Sequence, residues 1–137
     1  METLDLNIET LDLNPDIICT LITKLKEFHA KEDVVIPEPP ENPSDDWALQ
    51  VLADHEDDLT FQEIKTTIDD LEPDQQVTLV ALMWLGRGDF TKDEWIDALA
   101  EATRNANERT AEYLMSTPLV ADYLAEGLYA FGHTCEE

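Results

Sequence analysis

Apolar residues recur at intervals of three and four along most of this chain, the spacing of one face of an α-helix. Ile17, Ile18, Leu21, Ile22, Leu25 and Phe28 make the first such stripe. Asn14 before Pro15 supplies a cap and a proline at the first helical position, where the missing N–H costs nothing. The pattern predicts a helix over 15–31, with Lys24, Lys26 and Lys31 toward the end that favours cations. Residues 34–43 hold four prolines and cannot be helical. With Val34, Val35 and Ile36 seeking burial, they read as a strap across the molecule rather than a flexible linker.

Ser44 predicts a helix reaching about Glu56, with Trp47, Ala48, Val51 and Leu52 inward. Thr60 and Glu63 have the spacing of a capping box, opening a helix that turns Phe61, Ile64, Ile68 and Leu71 to the core. Glu72-Pro73-Asp74 starts another. Its Val77, Leu79, Val80, Leu82, Met83, Trp84 and Leu85 are apolar nearly all round, as in a central buried helix. Gly86-Arg87-Gly88 ends it, and a positive φ is expected at Gly86 or Gly88. Thr91 and Glu94 form a second capping box before a stripe of Trp95, Ala98, Leu99, Ala102 and Ala106. Asn105-Ala106-Asn107 weakens that helix, and a short one with Ala111, Leu114 and Met115 follows. Thr117-Pro118 then caps a last helix lined by Leu119, Val120, Tyr123, Leu124, Leu128 and Phe131 and closed by Gly132.

The fold class expected is all-α: a single compact bundle of six to seven short helices with a proline-rich strap. A duplicated stretch, Glu2–Asn7 repeated as Glu9–Asn14, divides the chain into an N-terminal extension over 1–13 and one helical domain over 14–137. Two six-residue copies, seven residues apart, are too short and too few for a stacked repeat.

Charge changes the functional picture more than size does. The 137 residues carry 32 acidic and 8 basic side chains, a net charge of −24. Residues 32–74 hold 15 of the acids against Lys65 alone, so net −14 lies in that segment. Direct binding to nucleic acid or to an anionic membrane would work against this field. A basic protein surface is the partner class it favours, with Asp54, Glu56, Asp57, Asp58, Asp69 and Asp70 as the candidate acidic face. The acidic N-terminus has no signal-peptide pattern and no stretch reaches 18 apolar residues, so a cytoplasmic location is expected. Two cysteines are too few for a disulfide scaffold, and Cys19 inside an apolar stripe reads as a small core residue.

Candidate chemistry is sparse. The stretch Leu85–Trp95 has the glycine and closing glutamate of a calcium loop, but its leading ligand positions fall on Met83, Leu85 and Arg87. Gly86-x-Gly88 lacks the ending of a phosphate loop. His55 among carboxylates, and His133 with Cys135, are too thinly supplied to make a metal site. No nucleophile motif is present, and no metal or cofactor is expected. Arg87, Asp89, Arg109 and Tyr113 remain as a candidate site for a small anionic ligand, if they converge. The reading is therefore a non-catalytic interaction or regulatory protein, with a small enzyme or anionic-ligand-binding domain as the alternative.

Three stretches carry a family resemblance: Leu11–Asp16; Asn42–Asp46; and Trp84–Asp89 continuing through Arg109–Leu114, Thr117–Leu119 and Asp122–Leu124. In their order, from about residue 11 to Glu137, they resemble a bacterial family known as domain-of-unknown-function family 3775. The resemblance implies a bacterial, compact, acidic helical protein. It implies no activity, substrate or catalytic residue.

Overall fold

The computed structural model describes residue 11, residues 13–31 and residues 58–135. The proline-rich strap, the helix expected over 44–56, and Asp54, His55, Glu56 and Asp57 lie outside the described residues, as does the first copy of the repeat. What is described is all helix and turn, with no strand.

Helix α1 spans Pro15–Lys31 and starts as its sequence dictates, with Asn14 Oδ1 accepting from the Asp16 N–H at 2.8 Å. Its stripe of Ile18, Leu21, Ile22, Leu25 and Phe28 is buried. Leu11 and Leu13 join the same core.

Helix α2 (Leu59–Asp69) begins two residues earlier than expected. Asp58 is the cap, its Oδ1 accepting from the Phe61 N–H at 3.1 Å, while Thr60 lies buried inside the first turn. A threonine hydroxyl could also accept the orphan N–H, but a carboxylate at this place adds a negative charge that favours the helix dipole.

Helix α3 (Pro73–Arg87) is the centre of the molecule, with every residue from Thr78 to Leu85 buried. Gln75 Oε1 accepts from the Glu72 N–H at 2.9 Å, fixing its start. At the other end Gly88 has φ 96°, its N–H on the Leu85 carbonyl at 3.1 Å, and the Asp89 N–H returns to Trp84 at 3.0 Å. This is the glycine-dependent helix stop expected of a left-handed residue. Gly86 is not the stop but an interior helical residue. A Cβ on Gly88 would meet nothing within 4 Å, so Gly88→Ala should cost only the backbone penalty. We expect a loss of about 1–2 kcal/mol in chemical denaturation.

Beyond the turn, Thr91 and Glu94 close their capping box, Glu94 Oε1 accepting from the Thr91 N–H at 2.8 Å. A 3-10 turn over Lys92–Glu94 leads into α4 (Trp95–Arg104). Helix α5 (Thr110–Met115) is short, and α6 (Val120–Ala130) is the last. Thr117 does not cap α6. It is buried, and its hydroxyl donates back to the Tyr113 carbonyl at 2.9 Å, leaving Leu119 at the cap with φ 64°. Burial decides this: a hydroxyl inside the core must find a partner there.

Among the described helices the most extensive contact joins α3 to α6. Helix α3 also meets α4, α1 packs on α6 and α2, and α2 on α5. Phe131, just past α6, stands edge-on to Trp95 with ring centres 4.9 Å apart, under the Lys92 ammonium.

One expectation fails outright. Cys19 is not a core thiol: it is bonded to Cys135, with Cα atoms 5.5 Å apart across a sequence separation of 116. Both residues are half-buried at the edge of the core. A helix stripe shows that Cys19 faces inward, but not what it meets there.

Candidate functional site

The short turn after α3 brings three of the four candidate ligand residues together. Arg87 donates from Nε at 2.9 Å and from Nη2 at 2.7 Å to the same Asp89 oxygen. Tyr113 on α5 is buried, and its phenol oxygen accepts from Trp84 Nε1 at 2.8 Å. Arg87 interacts with that phenol as well. Burial works against the Arg87 charge, but Asp89 and Tyr113 outweigh it and hold the guanidinium above the ordinary arginine value. Burial pushes the Tyr113 phenol up, with Trp84 and Arg87 pulling the other way. A phenol so shifted stays neutral near pH 7 and is no general base there.

Chemically this cluster is a brace. It ties α3 and its turn to α5 through groups whose polar atoms face one another. Tyr113→Phe should leave the buried Trp84 N–H without its acceptor, and an unmade buried hydrogen bond costs about 1–3 kcal/mol. The same change at exposed Tyr129 should cost close to nothing in a thermal melt. Arg109 heads α5 one turn before Tyr113, its N–H on Asn107 Oδ1 at 2.7 Å and its side chain half-buried.

The acidic candidates divide differently. Asp58 is consumed as the α2 cap. Asp69 pairs with Lys65 at 2.9 Å, and Lys65 reaches Glu112 at the same distance. Burial acts against the Lys65 charge, yet these two carboxylates hold it above the ordinary lysine value. Asp70 is exposed, as are Glu72 and Asp74 around the turn from α2 to α3. Among the described residues no group of His, Cys, Asp and Glu is placed to hold a metal ion. Cys135 is withdrawn from any such role by its disulfide.

A groove of about 600 Å³ runs between α1 and α6, with the Cys19–Cys135 bond in its wall. Thr23, Lys26 and Glu27 line it from α1, and Glu126 and Tyr129 from α6. Sequence reasoning missed this feature. The available signal was the presence of two cysteines and no others.

No helix among the described residues is long and apolar enough to cross a membrane. No curated protein and no solved structure matches the chain. A family model does match, from Phe61 to His133. Both cysteines and the stretches at 11–16 and 42–46 fall outside it, whereas the brace of Trp84, Arg87, Asp89 and Tyr113 falls inside. The match covers more than half of the 137 residues, and the chain belongs to the family described as protein of unknown function (DUF3775).

Proposed function

We propose that the protein is a non-catalytic interaction domain whose acidic surface engages a basic protein partner. One observation carries this reading: an excess of carboxylates that the chain's own cations do not offset. Of eight basic residues, Lys24 pairs with Glu63, Lys65 with Asp69 and Glu112, Arg87 with Asp89, and Arg104 with Glu101. At least these four cations serve internal carboxylates, and the net charge of −24 remains for the surroundings to compensate. Such a field speeds encounter with a cationic surface and disfavours nucleic acid and anionic lipid. The alternative, an anionic ligand held by Arg87 and Tyr113, is disfavoured because both are already engaged with Asp89 and Trp84. A cytoplasmic site of action, proposed with this reading, would expose the Cys19–Cys135 bond to a reducing thiol pool.

The test is capture on the immobilised chain at about 50 mM NaCl, with elution at about 0.5 M, where screening shortens to a few Å. A basic protein should be retained, released by salt, and held less well by an Asp70→Asn, Glu72→Gln, Asp74→Asn triple variant. Retention indifferent to salt, or of no basic protein, overturns the reading.

A further inference from the structure

The groove between α1 and α6 combines three features. The first is access. Cys19 and Cys135 are both half-exposed and line an open cleft of about 600 Å³, so a small molecule can reach the bond without unfolding the chain. The second is charge. Among the described residues, Glu27 and Glu126 line the cleft against one cation, Lys26, within a protein of net −24. Cations are concentrated there, and anions are repelled. The third is what the bond holds. After α6, the Gly132 and His133 N–H groups complete the helix end on Tyr129 at 2.9 Å and Leu128 at 3.0 Å. Among the described residues, no hydrogen bond holds Thr134 or Cys135. The fully buried apolar core runs from Leu11 to Leu128; among the described residues beyond Phe131, which packs on Trp95, only Cys135 itself touches that core, at its edge.

We propose that the groove is a thiol-exchange site, in which a small cationic aminothiol opens the Cys19–Cys135 bond and frees the segment after α6 from α1. The attacking thiolate forms a bond to one cysteine sulfur as the S–S bond breaks. The other sulfur leaves as a thiolate and takes up a proton. A second aminothiol then attacks the mixed disulfide, giving the aminothiol disulfide and the second cysteine thiol. Two aminothiols are oxidised as the protein disulfide is reduced by two electrons. Opening exposes the inner wall of the groove, including Ile22 and Ala125, while α3 and its neighbours keep their packing.

Cysteamine and glutathione, at matched thiolate concentration, are the probes. They are applied to the oxidised full chain, with alkylation and mass measurement to count thiols and hydrogen exchange to locate opening. A neutral disulfide peptide corrects for their intrinsic reactivities. Cysteamine should open the bond at least about 10-fold faster than glutathione at low salt, the gap closing near 0.5 M NaCl. Exchange should rise at residues 132–135 and along the groove side of α1, while α3 stays protected. A Glu27→Gln, Glu126→Gln variant, which leaves both cysteines and the core in place, should narrow the gap at low salt. Reduction only at the rate of global unfolding, with all amides exchanging together, overturns the proposal. So does equal reduction by the two thiols at low salt, or a gap the variant leaves unchanged.

Discussion

Cys135→Ser should lower the melting temperature of the oxidised protein by roughly 10–20 °C, the largest effect expected of a single substitution outside the buried core. The bond closes a loop of 116 residues, and a cross-link of that span removes much of the freedom of the unfolded chain. In the chain-entropy account this amounts to about 5 kcal/mol, an upper figure because unfolded chains are not random coils. Little of it is native contact, since Cys135 lies half-buried at the core's edge. Cys19→Ser and the double variant should therefore fall by the same amount as Cys135→Ser, because each removes one and the same cross-link. Dithiothreitol should bring the parent protein down to the variants and leave the variants unmoved. A parent melting curve insensitive to reductant would show that the two sulfurs are not bonded in solution.

Local signals in the sequence locate the elements well where the cause is itself local. Asn14-Pro15 starts α1 at the residue expected, and the 3.6-residue stripe through Ile18, Leu21, Leu25 and Phe28 is the buried face. The unbroken apolar run of α3 marks the helix that has neighbours on several sides. Arg87 and Asp89 are readable as partners because they are two residues apart on a turn where bases are scarce. Tertiary causes leave no such trace. Thr60 and Thr117 have the chemistry of caps, but burial turns one into a helix interior and the other onto Tyr113. Trp84 and Tyr113 meet because α3 and α5 are neighbours, which no spacing within either helix reveals. The same holds for Cys19 and Cys135: pairing across most of the chain depends on α1 and the end of α6 lying side by side.

Gly86→Ala reverses the sign that helix propensity alone would give. Within α3, exchanging glycine for alanine should stabilise by about 0.5–1 kcal/mol, since alanine loses less backbone freedom. Here a Cβ on Gly86 would lie 1.8 Å from the Tyr123 carbonyl oxygen and 2.6 Å from its carbon. These are backbone atoms of α6, which no rotamer change can move aside. The facing position is tight too, though less so: a Cβ on Gly127 would lie 2.5 Å from the Leu82 carbonyl oxygen and 2.8 Å from Leu82 Cγ. Two bare backbones one helical turn apart in each helix thus let α3 and α6 touch along the most extensive contact among the described helices. Admitting one methyl group requires the helices to part by on the order of 1–2 Å before atoms regain contact near 3.5 Å. That shift loosens Leu82, Leu85 and Leu124 together, and overpacking of this kind costs about 3 kcal/mol or more. The expected result is a loss larger than that of Gly88→Ala, where the new methyl meets open space. Gly86→Ala and Gly127→Ala combined should cost less than their sum, because one separation of the helices relieves both clashes. Urea denaturation of the parent, the three single variants and the double variant decides it: a Gly86→Ala variant as stable as the parent would mean that the helices do not cross at these glycines.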